Sequence, residues 1–341
     1  MQIHPMPSAG ASTVSAMLVR DLQDGQGLDQ VLLVRAVEIR PRRDGGACMR
    51  LSLGDRSGHV EAIVWDDVAE LEPLCRPGAP VRVTGTFERH ARWGPQVAVE
   101  TLAAPAPGSY DPTDLVDGPP HDAEQMEADL RQLVSTIQDP HLRALLDRVL
   151  GEHTETWRAY RRAPAAKHYH QAYRHGLLEH SLSVALGVHA LAASFPGIDH
   201  DVAVTGALLH DIGKLDAYTA DPLAIDMTDL GKLHGEIALG YYRIRREIEA
   251  IPAFPDELAA AVLHIILSHH GSLEHGSPVV PCTREATLVH HIDNLGGRLG
   301  SFDRLEKELP RGERWSRFDR ALGGGAYFAP PPAAQQEREA A

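Results

Sequence analysis

The chain has little with which to cross-link itself or to enter a membrane. Its 341 residues include three cysteines, Cys48, Cys75 and Cys282. They are far apart and form no CxxC, so they read as plain reduced residues of a reducing compartment. No apolar run approaches the ~18 residues needed to span a bilayer. No apolar segment follows a basic start at the N-terminus, so no signal peptide is expected. These absences point to a cytoplasmic chain with no membrane partner. An excess of positive charge is missing too. Lys and Arg total 33 against 47 Asp and Glu, a formal net charge of −14. That excludes a generally basic surface for coating nucleic acid. A local groove remains open to it, because bound metal ions add positive charge that the formula omits.

Histidine is what the chain has in unusual supply. Fourteen of its 20 histidines lie between His168 and His291. Hydrophobic residues make up 43%, enough for a real core, and the length suits two domains of ~100–200 residues each.

Residues 1–14 are rich in Pro, Ser, Gly and Ala and are expected to be flexible. Residues 15–105 are strand-like. Val31–Ile39, Cys48–Leu53, His59–Trp65, Pro80–Phe87 and Gln96–Leu102 read as five strands, with turns at Asp55–Gly58 and Arg92–Pro95 and a helical piece near Val68–Leu74. The pattern predicts an all-β barrel of the OB type. Such barrels hold single strands by stacking bases on aromatics beside basic side chains. Trp65, Phe87 and Trp93 are the candidate platforms, and Arg82, Arg89 and Arg92 the candidate phosphate contacts. Strand alternation assigns Trp65 to the core, whereas Trp93 sits in a turn and is the better platform. Residues 1–105 hold 11 Arg and no Lys against 13 Asp and Glu, a net of −2, so any basic groove must come from asymmetric placement.

Residues 106–122 form a Pro- and Gly-containing linker. Residues 123–328 carry helical periodicity, and 329–341, rich in Pro, Ala, Gln and Glu, read as a disordered tail. Within the helical part, Gly176–Ser194, Val202–His210, Gly235–Ile251, a segment from Pro255 to His270, and Thr283–Leu299 read as the long helices.

His210 and Asp211 are adjacent at a helix end, and His269 and His270 repeat that arrangement before Gly271. Adjacent residues inside a helix point ~100° apart, but at a terminus they can converge. Each pair alone is a weak signal, since a lone buried histidine is more often a satisfied core residue. Together with His180 and Asp293 they put polar clusters on apolar helix faces, where unpaired burial costs several kcal/mol, on the order of 1–3 per group. A shared divalent metal removes that conflict.

These motifs resemble a known family. The residues are Pro164–Lys167, His170–Arg174, Gly176-Leu-Leu-Glu-His180, Leu209-His-Asp-Ile-Gly-Lys214, Ile265–Gly271, Gly276-Ser-Pro278 and His290-His-Ile-Asp-Asn294. In this order they are similar to the HD-domain metal-dependent phosphohydrolases. With Asp55–Trp65 in front of them, they resemble the branch of YhaM-type 3′→5′ exoribonucleases, across roughly residues 17–330. There are two departures. The third-cluster histidine of that family falls on Glu236, with His234 two residues earlier. Register favours Glu236 and leaves His234 as its rival. His175 stands where the family usually has glycine.

The resemblance implies a site. His180, His210, Asp211 and Asp293 would hold one ion, and Asp211 would bridge to a second held by His269, His270 and Glu236. Divalent metal is the implied cofactor, two ions, with Mn²⁺ favoured over Mg²⁺, Fe²⁺ or Co²⁺. Lys214 and Arg174 are the implied catalytic contacts to phosphate beside Asp211, Lys167 a backbone-phosphate contact, and Asn294 a group that orients Asp293 or touches substrate. The implied activity is 3′→5′ hydrolysis of single-stranded RNA, with DNA as a further substrate, to nucleoside 5′-monophosphates, in a chain able to form a homo-oligomer. Two rivals stay open. One is a phosphohydrolase of small or cyclic nucleotides with a regulatory barrel, which the acidic net charge favours. The other is a nucleic-acid-binding protein with a catalytically weak helical domain.

Overall fold

Strand alternation in the first hundred residues leaves one apolar face per strand, and only closure buries all of those faces at once. In the computed structural model, β1 (Gln26–Pro41), β2 (Ala47–Asp55), β3 (Gly58–Val64), β4 (Pro80–His90) and β5 (Gly94–Ala103) form a closed barrel in the order β1-β2-β3-β5-β4. The structure describes residues 17–42, 45–90, 94–116, 118–119, 121–167, 171–219, 225–307, 309 and 313–329. β1 is long enough to serve two neighbours. Gln26–Leu33 pairs with β4, and after an irregularity between Val34 and Ala36 the rest pairs with β2. A short parallel contact of Glu61–Ile63 with Gln96–Ala98 closes the barrel between β3 and β5. This is the all-β, OB-like architecture read from the sequence.

Leu32, Val34, Met49, Leu51, Leu53, Val81 and Val83 fill the barrel, each fully buried. Gly85 faces inward where β4 shifts register against β5, and a Cβ there would run into the carbonyl oxygen of Ala98. Asp55 is buried and pins the entering chain: it accepts from the amide of Val19 at 2.7 Å and from the amide of Ser57 at 2.7 Å. The short helix α1 (Val68–Leu71) leads from β3 towards β4.

Two aromatics face opposite to expectation. Val60, Ala62 and Val64 point inward, so Trp65, next in the alternation, turns out and is 54% exposed. Phe87, expected to stack bases, continues the inward set Val81 and Val83 and is 4% exposed. Arg42 lies over the Trp65 ring, 5.6 Å from its centroid, and Arg89 over Phe87 at 5.8 Å. Arg82 is spent on a two-pronged ion pair with Asp29, both contacts at 2.8 Å. Arg92 and Trp93 lie outside the described residues, as do residues 1–16 and 330–341.

The second compact unit is helical. After α2 (Pro112–Leu115) come α3 (Ala123–Ser135), α4 (Pro140–Leu150), α5 (Glu155–Tyr160), α6 (Gly176–Ala192), α7 (His200–Leu209), α8 (Lys214–Ala217), α9 (Asp229–His234), α10 (Glu236–Glu249), α11 (Asp256–Ser268) and α12 (Arg284–Lys307). α7 is apolar nearly all round, from Val202 to Leu209, and is accordingly buried from Val202 on among α6, α11 and α12. Gly206 lets α11 approach, since a Cβ there would run into Ile265. Tyr160, fully buried, donates its hydroxyl to Leu208 O at 3.0 Å and ties α5 to the end of α7.

α12 continues to Lys307, past the expected end at Leu299. The chain then returns in a bridged segment in which Trp315 pairs with Tyr327 and Asp319 with Gly324. Arg304 of α12 fastens that segment through Asp319 at 2.5 Å. Among the described residues, no helix is long and apolar enough to cross a membrane.

Leu51→Ala removes a side chain that is fully enclosed by the barrel. Denaturant titration of the full chain should show a loss of about 2–5 kcal/mol in the stability of the barrel transition. An unchanged midpoint would contradict the assignment of Leu51 to that core.

Candidate metal centre

Two helix ends meet in the helical unit. α7 stops at Leu209, and His210-Asp211 follow in the turn. α11 stops at Ser268, and His269-His270 follow, with Gly271 at φ +81. Gly271 is required there because a Cβ would run into the ring of His290. The final carbonyls of each helix lack intrahelical amide partners. The histidines use them: Nδ1 of His210 donates to Ala207 O at 2.7 Å, and Nδ1 of His269 to Ile266 O at 2.8 Å. Nδ1 of His270 donates to His275 O at 2.9 Å. A carbonyl only accepts, so each ring, when neutral, carries its proton on Nδ1 and leaves Nε2 free to bind a cation. That is the orientation of a metal-binding imidazole with its second nitrogen anchored.

α6 contributes His180 and α12 contributes Asp293. Nε2 of His180 lies 3.2 Å from Nε2 of His210, 3.1 Å from Oδ2 of Asp211 and 3.2 Å from Oδ1 of Asp293. His180, His210 and Asp293 thus offer ligand atoms within 4.8 Å of one another. A second group of the same tightness is Glu236, His269 and His270. Oε1 of Glu236 is 3.3 Å from Nε2 of His270.

Asp211 stands between the groups. Its Oδ2 faces His180, and its Oδ1 lies 3.5 Å from Nε2 of His269. Both Oδ1 and that Nε2 are buried with no hydrogen-bond partner. Two lone pairs that face each other in a buried site cost free energy unless a cation lies between them. The donor set, imidazole nitrogens and carboxylate oxygens, therefore fits divalent metal in both groups.

The charges follow the same logic. Burial disfavours a charged Asp211, but Lys214, whose Nζ is 2.7 Å from Oδ2, holds the carboxyl well below its usual range. Burial also opposes charge on His180, yet hydrogen bonds to Asp211 and Asp293 outweigh it and raise His180 to about 9. His210, with its Nδ1 already committed to a carbonyl, is lowered by burial to about 4.

The structure separates the sequence-derived candidates. His180, His210, Asp211, Glu236, His269, His270 and Asp293 come together. His234 does not. It is the exposed last residue of α9, and Gly235 breaks the chain before Glu236 opens α10. A Cβ at Gly213 would run into the carbonyl oxygen of Glu236, so that glycine is what lets α10 approach Asp211. His175, where the resembled family has glycine, adopts φ +71 as the residue before α6. Arg174, expected beside Asp211, lines a different cavity with His121, Glu124 and Arg161 because the turn before α6 aims it away. Lys167 is paired with Asp226 at 2.7 Å. The metal-side cavity is about 580 Å³, and its lining includes Lys214, Tyr218 and Asn294. Arg298 and Arg320 line it as well. The sequence reading missed both. Arg298 lies four residues beyond Asn294 on the same helix, a same-face spacing that flags it; Arg320 carries no local signal.

Glu236→Gln should reduce the bound metal from two ions towards one per chain by elemental analysis of Mn²⁺-equilibrated protein, whereas His234→Gln should leave the content at two. The opposite pattern would exchange their roles.

Residues 177–297 match the family model described as the HD domain. The chain is 28% identical over 307 residues to the 3′-5′ exoribonuclease YhaM of Geobacillus sp. (strain WCH70), covering 90% of this chain and 93% of that protein. It is 27% identical over 307 residues to the 3′-5′ exoribonuclease YhaM of Bacillus subtilis (strain 168), covering 90% and 96%. No solved structure gives a significant match. Residues 177–297 thus form a helical region similar to the HD domain, and the similarity to the YhaM 3′-5′ exoribonucleases extends over nine tenths of the chain.

Proposed function

We propose that this chain is a hydrolase of phosphodiester bonds, and specifically a metal-dependent 3′→5′ exoribonuclease acting on single-stranded RNA. The observation that carries the reading is the Asp211 carboxylate. It has one oxygen turned to the His180, His210 and Asp293 group and the other, unpartnered and buried, to the Glu236, His269 and His270 group. The name shared by the two relatives supports the polymer substrate and the direction.

His180, His210, Asp211 and Asp293 would hold one divalent ion and Asp211, Glu236, His269 and His270 the other. Ions so placed supply Lewis acidity to a phosphoryl oxygen and a water acidic enough to react near neutral pH. The chain's own residues do the positioning. Backbone carbonyls fix three imidazoles by their Nδ1 protons. Lys214 offsets the charge of Asp211 and borders the cavity where the phosphate would lie. Hydrolysis adds water across the bond between phosphorus and the 3′-oxygen. The hydroxyl goes to phosphorus, the hydrogen to the departing oxygen, and a nucleoside 5′-monophosphate leaves. In the barrel, the exposed Trp65 with Arg42 over its ring is a stacking surface for the strand.

Hydrolysis of a small or cyclic nucleotide is the second reading. The cavity of about 580 Å³ favours it, since that volume suits one small-molecule ligand.

The full chain with Mn²⁺ should shorten a 5′-labelled single-stranded oligoribonucleotide in single-nucleotide steps and release 5′-monophosphates. Chelation with EDTA should stop the reaction, and added Mn²⁺ should restore it. Intact oligonucleotides beside a hydrolysed free nucleotide would reject the nuclease and favour the second reading.

A further inference from the structure

The metal-side cavity has a second wall of opposite charge. α12 lays one face along it: Asp293, Asn294, Gly297, Arg298 and Ser301 all border the space, at the i, i+1, i+4, i+5 and i+8 positions of one helical stripe. The bridged segment after α12 adds Arg320, which sits in the turn between the paired Asp319 and Gly324. Its position is set from below, because Asp319 is gripped by Arg304 at 2.5 Å and also accepts from the amides of Ala321 and Leu322 at 2.9 and 3.1 Å. The turn that carries Arg320 is therefore fastened on both sides.

Arg298 and Arg320 differ from the other arginines nearby. Arg304 is paired with Asp319, and Arg243 with Asp216 at 2.8 Å. Among the described residues, the guanidinium groups of Arg298 and Arg320 have no side-chain hydrogen bond or ion pair. Both lie beyond residues 177–297, the stretch matched to the HD domain. A guanidinium is a planar fork of donors that suits two oxygens of one phosphate. Two such forks, uncommitted and bordering a cavity that also contains the carboxylates of Asp211 and Asp293, make a site for a phosphate other than the one being cleaved.

Helix geometry gives its register. Arg298 lies five residues past Asp293, about 7.5 Å along the axis at 1.5 Å per residue. The backbone repeat between neighbouring phosphates of an extended single strand is of similar length. A phosphate gripped by Arg298 is then the next along the strand from the one beside Asp293. We propose that Arg298 and Arg320 clamp the backbone phosphate immediately 5′ of the scissile linkage and thereby select a strand over a mononucleotide. This inference rests on the nuclease reading above and names how that site recognises a polymer.

The test changes the substrate rather than only the protein. Two 5′-labelled oligoribonucleotides of one sequence are compared, one with all its phosphates and one with a neutral methylphosphonate at the linkage just 5′ of the terminal one. The first cleavage by the full chain with Mn²⁺ is timed on each. The wild type should cut the neutral-linkage strand about tenfold more slowly, the loss expected when charge-assisted hydrogen bonds to one phosphate are removed. The R298A/R320A variant should cut the two strands at rates within about twofold of each other. The R298K/R320K variant should keep part of the preference, because it keeps the charge and loses the fork. The clamp is overturned if the wild type treats both strands alike, or if the alanine variant retains the wild-type ratio while cutting both more slowly, as a merely structural role would give. If the wild type cuts neither strand, the nuclease reading itself fails, and that outcome is distinct from the other two.

Discussion

Buried polar side chains from several helices converge on one carboxylate, that of Asp211. Asp211 sits where α7 ends, among imidazole nitrogens whose protons are committed elsewhere, with Lys214 as its nearest fixed charge. A carboxylate so placed cannot be left to water, and its Oδ1 finds no donor in the protein. Two groups of ligand atoms on its two sides meet that demand if each holds a cation. The apolar all-round character of α7, the glycine at 213 and the left-handed glycine at 271 are the means by which the backbone reaches this arrangement.

Helix ends supply what side chains alone could not. The last-turn carbonyls of α7 and α11 would otherwise need water, and they instead orient His210 and His269. The negative ends of both helix dipoles also point at the place where positive charge is wanted. The same residues thus cap the helices, fix their own ring orientation and contribute to the candidate ligand set. This economy explains why the two histidine-bearing pairs both stand just past a helix rather than within one.

Much of this was legible in the sequence, and the misses have definite causes. The His210-Asp211 and His269-His270 pairs, each followed closely by glycine, were readable because helix-end chemistry is local. So was the barrel, because five alternating segments with turn residues between them have few other ways to bury their apolar faces. Trp65 was misread because a shift of one residue along β3 reverses inside and outside, and the true inward set ends at Val64. Phe87 was misread because a bulky aromatic beside arginines looks alike on either face of a strand. Arg174 is carried away by the turn before α6, where His175 takes a left-handed backbone conformation. Arg320 reaches the cavity through the ion pair of Arg304 with Asp319, a contact between segments that no local pattern announces.

The bridging role of Asp211 is the claim on which the chemistry depends. Anomalous diffraction from crystals of the full chain equilibrated with Mn²⁺ tests it most directly. The account expects two peaks about 3.5–4 Å apart, one beside His180, His210 and Asp293 and the other beside Glu236, His269 and His270, with an oxygen of Asp211 in contact with each. A single peak, or two peaks with Asp211 bound to neither, would contradict it.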